Sequence, residues 1–341
     1  MKHRLSPYLT TIGILLLAVI LSLAIGSVFI APSDLWTLLR SWFLGLPIPP
    51  GLKTFAFIIT DIRLPRTVLV LMTGAALGGS GTAYQGLFRN PLADPYLIGV
   101  ASGGGLGAVL AMSINWPYSF WGLMAVPLSA FVFAMLTVLL VYTLARVGST
   151  VPTTNLILAG VAFSAFATAV TSFLIISSEG EVRRALSWLM GGSSQNSWQT
   201  VLAVLPYLVI GLGYLLFNGH ALNLLQFGDD QAQQLGLPVT RTKTLVLIAA
   251  SLATAAAVSF SGIIGFIGLI VPHVLRMWWG ADYRRLLPLS LLAGGAFLIV
   301  ADILARVLIR PQELPVGIVT ALAGAPFFLW VLRRSKNQGY W

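Results

Sequence analysis

Few residues in this chain could do chemistry, and their scarcity is informative. There is no cysteine, which removes disulfides, thiolate metal sites and thiol nucleophiles. No serine or threonine stands with a histidine and a carboxylate in a hydrolase pattern, and no His/Asp/Glu spacing suggests a metal site, so no catalytic residue and no metal ligand is assigned. Gly103, Gly104, Gly105 and Gly107 have the glycine density of a phosphate-binding loop. No Lys-Ser/Thr follows them, and no Walker A pattern occurs elsewhere, so any ATP-driven work needs a nucleotide site on another chain. Asp302 and Arg306 are one helical turn apart and can pair. His273 follows Pro272 near the end of an apolar run, where a packed, hydrogen-bonded ring is the simpler reading than a proton relay.

The elements that hold these residues are apolar. Of 341 residues, 57% are hydrophobic and 9% charged, where soluble domains carry about 25% charged. That composition cannot clothe soluble domains and reads as an all-α integral membrane protein. The net charge of +10 does not indicate nucleic acid, because the cations are scattered between apolar runs. About ten spans are expected: Tyr8–Ala31, Thr67–Phe88, Tyr96–Ile114, Trp121–Ala145, Asn155–Ile176, Trp198–Phe217, Lys243–Phe260, Ile263–Trp279, Leu286–Ile309 and Pro315–Leu332. The first is too long for the h-region of a signal peptide and reads as an uncleaved span. The larger set of loop cations includes Lys2, Arg4, Arg89, Arg146, Arg241, Lys243, Arg276 and Arg333. This places that side, and both termini, in the cytoplasm. The opposite side is unexpectedly basic, with Arg40, Lys53, Arg63, Arg66, Arg183, Arg184, Arg306 and Arg310. One transmembrane domain over residues 1–341 is expected, with a short helix on the outer face at about 181–190 that leads into a turn at Gly191–Ser194. Lys and Glu are missing from the span interiors, which argues against a proton- or sodium-coupled carrier.

The longest polar interruption of the second half is Leu222–Lys243, a cytoplasmic segment at about 221–242. Its core runs from Gly228 to Gly236. Ala232 and Leu235 are expected on one side of a short helix, with Asp229, Asp230, Gln233 and Gln234 on the other. Such a helix can dock in the groove of a soluble partner, or the segment can be an ordinary solvated loop. In the fifth span Gly160, Ser164, Thr168 and Ser172 recur every four residues, with Thr171 beside them. By spacing this stripe is a helix–helix seam or the wall of a weakly polar channel, and the seam is the simpler reading. The glycines of the second and third spans, Gly74, Gly78, Gly79 and Gly81 and then Gly99 to Gly107, read as close helix packing.

These stretches, taken together, resemble the FecCD-type permease subunits of type II ABC importers for iron chelates, haem and vitamin B12. The resemblance rests on Arg63-Leu-Pro-Arg66, Gln85–Pro95, Thr154–Gly160, Trp188–Gly192, Gly228–Gly236, Gly265–Arg276, Ala301–Arg306, Glu313–Gly317 and Gly324-Ala-Pro326, in family order. It implies a ten-helix subunit in the bacterial inner membrane that pairs with a second permease, two identical chains being expected. It further implies two ATP-binding subunits that carry the ATP and Mg²⁺, a binding protein on the outer face, and no cofactor on this chain. By the resemblance, Gly228, Asp229, Asp230, Ala232, Leu235 and Gly236 form the ATPase-coupling helix. Gly160, Ser164, Thr168, Thr171 and Ser172 lie on the helix that lines the path. Asn90, Leu92, Thr153 and Thr154 match cytoplasmic gates. Arg63, Arg66 and Arg306 match the docking site for the binding protein, with Arg310 a weaker candidate, where the alternative is arginines that snorkel to lipid phosphates. Asp229 and Asp230 stand where many relatives carry Glu. A ferric siderophore is the expected cargo as the commonest of the family, with haem and cobalamin open. The competing function is a passive or ligand-gated channel with no motor.

Overall fold

The computed structural model describes residues 2–26, 28–114, 116–117, 119–148, 150–178, 182–192, 196–309 and 311–336. Fifteen α-helices and no strand lie among the described residues. The first, α1 (Lys2–Ala24), is followed by α2 (Pro32–Leu44), α3 (Lys53–Phe57), a π-helical turn at Ile58–Arg63 and α4 (Leu64–Phe88). A 3₁₀ turn at Pro95–Ile98 leads into α5 (Val100–Met112), then α6 (Phe120–Ala145), α7 (Thr153–Ser177), α8 (Val182–Leu189) and α9 (Trp198–Phe217). The second half holds α10 (Gly219–Leu225), α11 (Asp229–Gln234), α12 (Val239–Ser261), α13 (Ile267–Trp279), α14 (Tyr283–Val307) and α15 (Val316–Lys336).

Among the described residues six helices are long and apolar enough to cross a membrane: α1, α6, α7, α9, α12 and α14. The other four expected spans are α4, the 3₁₀ turn with α5, α13 and α15. They are shorter or richer in glycine. α4 and α5 tolerate this because the bundle shields them: most of their residues are buried. The region before α4 goes beyond expectation. The expected spans leave 32–66 without an assigned element, and the chain forms α2, α3 and the π-turn there, around a small core of Leu23, Ile30, Leu35, Leu38 and Ile59.

Glycine sets the tightest seam. α4 packs along α14, and a Cβ on Gly74 would run into the carbonyl of Gly294, and one on Gly78 into that of Ser290. The glycines of α5 serve the same purpose, since Cβ atoms at Gly103 and Gly107 would strike Thr137 and Ser129 on α6. The close-packing reading of both glycine runs therefore holds, and the phosphate-loop alternative does not.

The polypeptide breaks between α12 and α13. Residues 262–266 are non-helical, with Gly262 at φ 75° and Phe266, not a glycine, at φ 72°. Tyr96 pins the break: its hydroxyl donates to the Ile264 carbonyl at 2.9 Å and accepts from the Ile264 amide at 3.2 Å. A free peptide unit among apolar helices thus has both groups satisfied. α13 has 13 residues, about 20 Å at 1.5 Å per residue, and returns only part of the way.

Candidate functional site

The polar island folds as expected in outline and differs in one respect. Gly228 at φ 101° and Gly236 at φ 87° bracket α11, both in backbone conformations that favour glycine. Asp229 and Asp230 occupy the first turn, where carboxylates favour the positive end of a helix. Ala232 is completely buried and belongs to the main core, whereas Leu235 is 61% exposed. The expectation that the two share a docking face is corrected. α11 has only six residues, and Leu235 caps its end rather than continuing its face. Ala232 is the foot that seats α11 on the bundle. The projecting surface is made by Leu235 and Phe227, itself 62% exposed, with Asp230, Gln231, Gln233 and Gln234 exposed around them. Phe227 had escaped the sequence reading; an aromatic just before the glycine of a polar island was the available signal.

This knuckle is braced to the bundle. Lys243 of α12 donates to Asp229 at 2.5 Å. Gln226 donates to the Gly86 carbonyl of α4 at 2.9 Å, and Asn223 of α10 donates to Asp282 at 2.7 Å. Asp282 caps α14 and also receives two nitrogens of Arg284. Hydrogen bonds from Arg284, reinforced by Asn223, hold the Asp282 carboxyl well below the usual carboxylate range.

A cavity of about 440 Å³ opens beside the knuckle, lined by Arg89, Tyr142, Thr153, Thr154, Asp229 and Lys243 among others. The gate candidates Thr153 and Thr154 thus sit at the start of α7 within reach of the coupling segment. Asn90 and Leu92 do not line it. They form the turn after α4, where the Asn90 side chain accepts from the Leu92 amide at 2.9 Å.

The α7 stripe divides. Gly160 is buried, and a Cβ there would strike the Leu97 carbonyl. Thr171 is buried and bonds back to Ala167 at 2.7 Å. Ser164 pairs with Ser102 of α5 at 3.0 Å. These three belong to the seam, so their placement on an open wall is corrected for the single chain. Thr168 and Ser172 are exposed, on a helix of which only 17% of the apolar span lies buried, against 72% for α12. The slow drift of a four-residue repeat around a 3.6-residue helix explains the division.

At the opposite end the arginines are not a free rim. Arg63 and Arg306 are each 5% exposed. Arg63 donates to the carbonyls of Leu23, Ala24 and Val28. Arg306 donates to the Ile25 carbonyl at 3.1 Å and to the Ser22 hydroxyl at 2.8 Å, and pairs with Asp302 at 3.0 Å. Together they cap the last carbonyls of α1, which the helix itself leaves without donors. Of the three arginines expected at a docking site, Arg63 and Arg306 thus point most of their donors into the protein, each 5% exposed. Arg66 bridges buried Asp302 at 2.9 Å and exposed Glu313 at 2.7 Å. The predicted Asp302–Arg306 pair is present. Arg310, Glu181, Ser193 and Ser194 lie outside the described residues. His273 is half-buried and packs edge-on to Phe327, 6.3 Å between ring centres.

The chain is similar to known proteins over most of its length. It is 47% identical to a cobalamin import system permease, BtuC of Halobacterium salinarum, over 82% of this chain and 74% of that protein. It is 38% identical to the hemin transport permease HmuU of Yersinia pestis over 99% of each. Among solved structures, a metal-chelate type ABC transporter in an inward-facing conformation superposes with a TM-score of 0.83 at 31% identity, covering 96% of this chain and 98% of that one. The profile of the FecCD transport family matches residues 14–334, and the chain belongs to that family.

Proposed function

We propose that the chain is the membrane permease subunit of an ATP-driven importer that passes a large metal chelate into the bacterial cytoplasm. The observation that carries this reading is the knuckle: an anchored short helix with Phe227 and Leu235 held out at 62% and 61% exposure among polar side chains. That surface suits the cleft of a soluble ATPase, which would bind the ATP and Mg²⁺; this chain needs no cofactor of its own. Lys243–Asp229 and the cavity at Thr153 and Thr154 give the closure of such a partner a short route to the start of α7. Two copies of the chain, with Thr168 and Ser172 facing the shared path, two ATPase subunits and an outer binding protein complete the proposed assembly, with both termini in the cytoplasm of the inner membrane. Arg66 and Glu313 are the part of the arginine cluster suited to meet that binding protein, while Arg63 and Arg306 hold α1 behind them.

Relatives that transport cobalamin and hemin support a chelate of that size. A Helicobacter pylori iron chelatin permease, 40% identical over 84% of this chain, keeps a ferric siderophore as the first cargo to test. Leu235→Asp combined with Phe227→Ser should abolish co-purification of the ATPase while the permease remains folded and monodisperse. The measurement is co-purification together with ATP-dependent uptake of labelled ferric siderophore, hemin and cobalamin in proteoliposomes. ATPase retained by the double variant overturns the docking role, and chelate flux without ATPase or ATP would point to a channel instead.

A further inference from the structure

The helix α2 is absent from every functional role above and has an unusual surface. Its 13 residues are too short to span a bilayer, at about 20 Å against a hydrocarbon core of about 30 Å. At 100° per residue its side chains fall on three faces. Leu35, Leu38 and Ser41 are buried against the protein. Ser33, Thr37 and Arg40 form a polar face. Between them lies an apolar face that the described residues leave uncovered: Trp36 is 68% exposed, Leu39 42% and Phe43 91%.

A helix with one protein face, one polar face and one bare aromatic-rich face matches a peripheral helix at a membrane boundary. Two further observations select lipid as the occupant. Exposed apolar residues run along the spanning helix α1, at Leu16, Leu17 and Ile20, and recur at Val28 and Phe29 in the segment that leads to α2. Tryptophan beside arginine at the edge of the apolar face is the composition of an interface belt, where the indole sits at headgroup level and the guanidinium reaches the phosphates. We propose that α2 lies flat in the bilayer leaflet on the side opposite the coupling knuckle, with Trp36, Leu39 and Phe43 among the acyl chains and Arg40 at the phosphodiester layer. Because Leu35 and Leu38 pack with Leu23 and Ile59, this helix fastens the linker that carries Arg63 to the membrane surface.

The cysteine-free chain allows a direct test in phospholipid proteoliposomes. A nitroxide is placed at Phe43→Cys, at Leu39→Cys and at Thr37→Cys, with Leu16→Cys as the lipid standard and Gln233→Cys as the aqueous standard. Collision with oxygen and with a water-soluble nickel chelate is read by power-saturation EPR. Labels at 43 and 39 should favour oxygen as the label at 16 does, while the label at 37 should favour nickel. The 37/39 pair gives the answer even if the Phe43 variant does not assemble. Nickel access at both 39 and 43 would overturn the proposal, placing the face in water. Labels at 39 and 43 shielded from both reagents would also overturn it, in favour of a protein partner or a second copy.

Discussion

Arg306 separates a structural role from a docking role. Its guanidinium is buried, shares Asp302 with Arg66, and supplies donors to the Ile25 carbonyl and the Ser22 hydroxyl. Truncation in Arg306→Ala leaves those acceptors at the end of α1 without that donor. Removing one partner of a buried ion pair costs about 3–5 kcal/mol. Asp302 keeps Arg66, so the lower end, about 3 kcal/mol, is expected here. Arg306→Lys should recover part of it, since the charge stays while the fork that reaches α1 is lost. The double change with Asp302→Asn should couple non-additively by about 0.5–3 kcal/mol. The assay is unfolding of the purified permease in detergent, followed by thermal shift and by protease cleavage of the 25–31 linker, beside binding-protein stimulation in proteoliposomes. An Arg306→Ala protein as stable as the parent, but deaf to the binding protein, would refute the clamp and restore a docking arginine.

Cysteines at Thr168 and Ser172 should react with water-soluble thiol reagents in at least one nucleotide state of the assembled transporter, whereas Gly160 and Thr171 replacements should stay protected; labelling of all four, or of none, would contradict the divided stripe. Gly74→Leu should destabilise by at least the ~1–3 kcal/mol of ordinary overpacking, because its side chain meets backbone at Gly294, and the loss is read as a fall in melting temperature with the bundle still helical. Asp282 has a carboxyl pKa held below its unfolded value, so its brace is complete above the ordinary carboxylate range and is lost as pH falls. The stability gap between the parent and Asp282→Asn should be flat from about pH 5 to 8 and shrink below about pH 4. A double-mutant cycle on Asp229 and Lys243, partly exposed at 47% and 18%, should return about 0.2–1 kcal/mol and fall with added salt.

What was readable from the sequence depended on the length scale of the signal. α6, α7, α9 and α14 announce themselves as long apolar runs, and their ends are close to those observed. α2 was missed because its two apolar faces leave no run of spanning length, and Pro32 and Gly45 look like loop punctuation although here they start and stop a helix. Asp302 and Arg306 were paired correctly because the contact is local, one turn apart. The partners of Arg63 are 35 to 40 residues away in sequence, and those of Arg66 more than 230, so no spacing rule reaches them. Ala232 was assigned outward because periodicity gives the faces of a helix but not which face the bundle covers. The break between Phe260 and Ile263 is longer than the apolar pattern indicates, reaching 262–266, because Phe266 carries a positive φ where a glycine would be expected.

The interlock of α4 with α14 has a mechanical consequence. Gly74, Gly78 and Gly294 along that seam each fit under a carbonyl of the other helix, so a slide of one residue would drive a Cβ into backbone. The pair therefore moves as a single strut. Its two ends are already wired: Arg66, Asp302 and Arg306 at one, and Gly86 to Gln226 and Asp282 to Asn223 at the other. A displacement imposed on the knuckle would be passed along this strut towards the arginine cluster at its other end. α7 stands outside this strut, with only 17% of its apolar span buried in the chain, and is the helix a rigid α4–α14 pair leaves least constrained.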